Sequence, residues 1–156
     1  MDELLQSNLS RLKGVTVLMF HRVVEQIPAG PLYDIHYTKE NLEKLLRFLG
    51  DRGFETVTFG DLLNGRPPRK PVILTFDDGY EDNYTYLFPL LRKYGMKAVI
   101  YLLGDRSIRS NVWDAANGAA VAPLLKEEQI REMGESGLVE FGSTSASSPS
   151  HTTGFS

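Results

Sequence analysis

The chain has 156 residues, 42% of them hydrophobic and 24% charged, which suits one globular domain with enough apolar side chains to bury a core. A formal net charge of −3 argues against the basic face of a dedicated nucleic-acid binder. No cysteine is present, so disulfide and thiolate chemistry are excluded, and any metal site must draw on Asp, Glu and the histidines His21, His36 and His151.

Met1 to Ser7 opens with acids and lacks the basic-then-apolar pattern of a secretory leader. No apolar run nears the roughly 18 residues that span a bilayer. A cytoplasmic chain with no membrane span is the expectation. Val15 to Phe20 is a short apolar run ending at His21-Arg22 and predicts a first buried strand. Residues 25–37, with Pro28, Gly30 and Pro31, predict a loop that includes His36. Thr38 is placed to cap a helix in which Leu42, Leu45, Leu46 and Leu49 recur at helical spacing, and Gly53 ends it.

Glu55 to Phe59 predicts a second strand and Gly60-Asp61-Leu62-Leu63 a brief helical turn. Pro67, Pro68 and Pro71 stiffen the connector, and Arg66, Arg69 and Lys70 form a solvated charge cluster. A β-branched apolar strand, Val72 to Phe76, follows. A helix spans about Asp82 to Tyr94, with Pro89 a kink or break and Gly95 its cap. Lys97 to Leu103 is another apolar strand. A loop of about 20 residues then holds Trp113 and Asp114, where an aromatic ring suits either a loop anchor or a sugar face. A charged helix, Lys126 to Glu135, leads through Gly137 into Leu138 to Phe141. Strands alternating with helices imply an α/β fold with a parallel sheet.

Thr75-Phe76-Asp77-Asp78-Gly79 carries the chemistry. Two adjacent carboxylates at the C-terminal end of a buried strand stand where α/β folds bind ligands. Placed side by side they repel, which calls for a metal, a shared proton or a cation nearby. As bare residues, Asp-Asp-Gly also makes a tight turn.

The pentapeptide resembles the first motif of the NodB-type polysaccharide deacetylases, and other segments resemble that family in order. Leu18 to Val23 resembles its early strand, Arg52 to Phe59 the segment before its second turn, Lys97 to Leu102 the strand after the motif, and Leu138 to Ser143 the approach to its second motif. The resemblance implies an incomplete distorted (β/α) barrel over residues 15–142. A 14-residue extension precedes it, and residues 143–156 follow as a flexible Ser/Thr-rich tail. It further implies hydrolysis of N-acetyl groups on an oligosaccharide or polysaccharide with one divalent metal, usually zinc. Asp77 is then the catalytic base and Asp78 a metal ligand. His21 lies at a strand end from which it either approaches the same site, as family position implies, or makes a structural hydrogen bond, and Glu140 lies at a strand end near the metal loop.

The sequence departs from the family at the second motif. Thr144 and Ser148 stand where two histidine ligands are expected, and neutral hydroxyls are poor zinc donors. All 17 basic and 20 acidic residues precede position 143. The expectations are a slipped reading frame near codon 144, little or no activity, and self-association through an open barrel edge. Two other readings stay open. One is a non-catalytic relative that binds carbohydrate or serves in assembly. The other is a receiver-like phosphotransfer domain, which requires an open doubly wound sheet.

Overall fold

The computed structural model describes residues 14–29, 35–65, 67–115, 118 and 120–144. In chain order the elements are β1 (Thr16–Phe20), β2 (Arg22–Val24), β3 (His36–Thr38), α1 (Lys39–Asp51), β4 (Glu55–Thr56), α2 (Phe59–Asn64) and β5 (Pro71–Phe76). A π-helical turn (Asn83–Leu87) then runs into α3 (Phe88–Tyr94), followed by β6 (Ala98–Leu103), α4 (Val112–Ala115), α5 (Glu127–Glu135) and β7 (Val139–Thr144).

The main sheet is wholly parallel, in the order β1-β5-β6-β7, with β4 added to β5. Its four longer strands follow one another without reversal, which is the arc of a barrel and not a doubly wound sheet with a switch point. Among the described residues the arc stays open, with β1 and β7 at its edges.

β5 is the centre of this arc, and its composition explains why. Successive side chains of a strand face opposite sides, so a strand covered on both faces is apolar throughout. Val72, Leu74 and Phe76 pack on one side with Leu42, Leu46 and Leu49 of α1 and with Phe88 and Leu91 of α3. Ile73 faces the other way, toward Val57, Leu62 and Val99. The helix predicted from the leucine spacing is α1, and Thr38 Oγ1 accepts from Asn41 N at 3.2 Å as its cap.

Several expectations are corrected. β1 is not a buried strand. Leu18 and Phe20 enter the core, but Val17 is 49% and Met19 66% exposed, because β1 is an edge strand whose second face is left uncovered by the described residues. His36 lies not in a loop but in β3, which pairs in parallel with β2, Arg22 opposite His36. Tyr37 packs on Phe20 at 5.1 Å between ring centres and draws this segment onto the core.

The strand expected over Glu55 to Phe59 stops at Thr56. Thr58 Oγ1 accepts from Asp61 N at 3.1 Å while Asp61 Oδ2 accepts from Thr58 N at 3.0 Å, a reciprocal capping box that starts α2. The single helix expected from Asp82 divides in two. Phe88 N donates to Asn83 O across a π turn, and Pro89 sits in the first turn of α3, where its missing N–H costs little. β7 runs on through Ser143 and Thr144, two residues into the expected tail, while the remaining tail residues fall outside those described. No helix among the described residues is long and apolar enough to cross a membrane.

Leu46 is fully buried between α1 and the sheet. Leu46→Ala should cost about 2–5 kcal/mol of stability, as typical for a core leucine truncation. Chemical denaturation with an unchanged m-value is the check.

Candidate functional site

Parallel pairing of β1 with β5 sets Phe20 opposite Phe76, and Asp77 N donates to Phe20 O at 2.8 Å. The residues just past the two strands, His21 and Asp77, therefore share the C-terminal edge of the sheet. His21 Nε2 stands 3.8 Å from Asp77 Oδ2, with side-chain exposures of 26% and 24%. That separation is beyond a hydrogen bond and leaves an electrostatic pairing. Burial raises the Asp77 pKa above its ordinary value, and His21 partly offsets the rise.

Asp78 and Gly79 both take left-handed backbone, with φ of 73° and 65°. Two such residues in succession turn the chain sharply, so Asp-Asp-Gly forms the tight turn that its composition allows. Aspartate is among the few side chains that tolerate this region. At Gly79 a β-carbon would also lie 2.7 Å from Leu102 Cδ2, which would have to shift, so the positive φ is the main reason for glycine here. The turn is fastened to the long loop: Leu125 N donates to Gly79 O at 2.8 Å and Glu81 N to Pro123 O at 3.0 Å.

Tyr80 is fully buried, and its hydroxyl donates to Asp114 Oδ2 at 3.1 Å. Burial, followed by the charges of Asp114 and Asp78, holds that hydroxyl far above the usual tyrosine range, so it remains a neutral donor. Trp113 packs against the cluster of Tyr80, Ala122 and Leu124, which is the loop-anchor role.

Other site residues escaped the sequence reading. Tyr101 shares a sheet face with Val99 and lies opposite Gly142, where a β-carbon would come within 2.6 Å of its ring. Burial and then the negative charge of Asp77 push its pKa up. The period of two along β6 was the available signal. Asp82 was read only as a helix start. Its Oδ2 accepts from Arg22 Nε at 2.9 Å and its Oδ1 from Val23 N at 3.0 Å, while burial raises its pKa despite those donors. Nothing local announces this pair, because its partners lie 60 residues apart. Glu140, expected near the metal loop, is instead the second residue of β7, and its Oε2 accepts from Gly60 N at 2.8 Å, supporting α2.

Among the described residues, no group of three His, Asp or Glu side chains is placed to hold a metal. Thr144, at one expected histidine position, lies in β7 with Oγ1 donating to Leu102 O at 3.3 Å. Ser148 and His151 lie outside the described residues. Asp78 plus one engaged hydroxyl does not fit the three strong donors that catalytic zinc takes.

The family profile described as polysaccharide deacetylase matches residues 64–154. This chain belongs to the polysaccharide deacetylase family. It is similar to YxkH of Bacillus subtilis (strain 168), which carries a polysaccharide deacetylase name, with 34% identity over 127 residues, 78% of this chain and 39% of that protein. The poly-β-1,6-N-acetyl-D-glucosamine N-deacetylase of Escherichia coli (strain K12) is 30% identical over 138 residues, covering 83% of this chain and 20% of that one. Of solved structures, a de-N-acetylase from Aggregatibacter actinomycetemcomitans aligns with a TM-score of 0.66 at 28% identity, over 83% of this chain and 53% of that chain. IcaB from Ammonifex degensii aligns at 0.63 and 26%, over 83% and 52%. The chain thus spans less than half the length of these two curated relatives.

Because folding raises the Asp77 pKa, the folded chain holds this proton more tightly than the unfolded chain does. The group favours folding most below its ordinary value of 3.8, and that contribution is lost as pH climbs through the raised folded value. Asp77→Asn should therefore raise the melting temperature of metal-free protein at pH 7. The gain should shrink as the pH is lowered toward 3.8. A thermal-melt series across pH reads both effects.

Proposed function

We propose that this deacetylase-family chain engages N-acetylated oligosaccharide or polysaccharide, with Asp77 as proton-accepting base, His21 as its partner and Asp78 as a metal donor. We further propose that zinc-dependent de-N-acetylation is weak or absent as the sequence stands. The approach of His21 to Asp77 at the strand edge carries the first part. Amide hydrolysis needs a group to take a proton from water and another to give one to the departing amine. A carboxylate whose pKa is raised by burial suits the first task, and an imidazole beside it suits the second. The names of the similar proteins, polysaccharide deacetylase and N-deacetylase, support the substrate class.

The second part rests on the donor set. Thr144 holds its hydroxyl against a strand carbonyl in the place of a strong ligand. The same observation favours a second reading, a non-catalytic relative that binds carbohydrate. Calorimetry with an N-acetylglucosamine oligomer, run beside an acetate-release assay, separates the two: heat of binding without acetate favours the binder.

Zinc-loaded protein should hold far less than one zinc per chain and should release no more acetate than Asp77→Asn does. The double change Thr144→His with Ser148→His should raise zinc occupancy toward one per chain. One tightly held zinc with acetate release in the unaltered chain refutes the proposed impairment.

We also propose that the edge of β1, unpaired among the described residues, mediates self-association. An edge strand with unpaired backbone groups is a template for another strand, and Val17 and Met19 add exposed apolar surface beside it. Met19→Lys should shift sedimentation toward monomer, and an unchanged distribution counts against this edge.

A further inference from the structure

Beneath the His21–Asp77 pair lies a buried polar group that proton transfer does not use. Asn83 opens the π turn and is fully buried. Its Nδ2 donates to His21 O at 3.1 Å and to Asp82 Oδ1 at 3.1 Å. Both neighbours of that nitrogen are acceptors, which fixes the orientation of the amide. The opposite end, Oδ1, is buried with no partner. An orphaned buried acceptor is unfavourable and offsets part of what the two donated bonds contribute.

What the amide accomplishes is geometric. Asp82 holds Arg22 Nε at 2.9 Å and Val23 N at 3.0 Å, with side-chain exposures of only 10% for Asp82 and 16% for Arg22. Asn83 adds the carbonyl of His21, so three consecutive residues, His21 to Val23, are gripped by two consecutive residues that follow the acidic turn. The grip spans about 60 residues of sequence and joins the segment bearing His21 to the segment bearing Asp77. The π register matters here, since single π turns are frequent at functional sites.

We propose that Asp82 and Asn83 form a positioning clamp that sets His21 against Asp77, with Asn83 the positioning residue. This inference rests on the reading of His21 and Asp77 as a working pair. It predicts that the imidazole of His21 senses the charge of Asp77 only while Asn83 holds the His21 carbonyl.

The test uses the full chain, labelled with 15N at histidine, and needs neither metal nor substrate. His21→Gln identifies the His21 ring signals by their loss. In the parent, Asp77→Asn should displace those signals clearly. In the Asn83→Leu background the same Asp77→Asn change should displace them by less than half as much. Leu62→Ala, which weakens the separate cluster on the other face of the sheet, should leave the displacement intact, separating positioning from general destabilisation. Should Asn83→Leu fail to fold, Asn83→Ser, too short to reach both acceptors, carries the same expectation. A full displacement in the Asn83 variant overturns the clamp alone. No displacement in the parent overturns the clamp together with the His21–Asp77 pair beneath the functional reading.

Discussion

The parallel ladder between β1 and β5 is the constraint on which the rest depends. Five residue pairs, Thr16 with Val72 through Phe20 with Phe76, lock two segments that are far apart in sequence. One further bond, from Asp77 N to Phe20 O at 2.8 Å, carries the register past the end of the strand. Because side chains alternate along a strand, a slip of one residue would send Ile73 and Thr75 into the helix-facing core and turn Leu74 and Phe76 outward. The apolar pattern of β5 therefore fixes where its acids emerge, and the site inherits its placement from the core.

From that edge a run of contacts leads into the long loop. His21 is held through its carbonyl by Asn83, Asn83 by Asp82, and Asp82 by Arg22. The Arg22 guanidinium lies 5.1 Å from the centre of the Tyr80 ring, and Tyr80 donates to Asp114. Every member is wholly or largely buried or packed against its neighbour. In so dry a setting each charge matters more than it does in water, and each lost partner costs more. The base half of the site is thus supported by a network, whereas the donors described for a metal are Asp78 and a hydroxyl already engaged in β7.

Much of this was legible in the sequence, for reasons that can be named. β5 declared itself by a β-branched run ending in acids and glycine, and α1 by leucines at helical spacing behind Thr38. Gly95 ended α3 as expected, in left-handed backbone at φ 61°. The features that were missed depend on partners that a linear reading cannot supply. Whether Val17 and Met19 are covered is decided by the strand beside β1, not by β1 itself. Thr58 and Asp61 do spell a capping box, but a β-branched run hid it and suggested a longer strand. The bond between Arg22 and Asp82 joins residues with no local relation. The π turn uses residues that an α-helix accepts equally well, so propensity is blind to it.

That turn also sets what kind of change the site can survive. A π turn contains one residue more than an α-helical path of the same span needs. Deleting one residue from Tyr84 to Tyr86 would let the segment wind as ordinary α-helix, with α3 and its buried Phe88 and Leu91 still docked on the sheet. Because the extra residue is taken up within the turn, Asp82 and Asn83 would keep nearly their present bearing toward Arg22 and the His21 backbone. A residue added to α3 has no such outlet and would rotate what precedes it by about 100°, the advance of one residue in an α-helix. The turn is thus a reserve of chain length, and this stretch can lose a residue at far less harm to the edge above it than it can gain one.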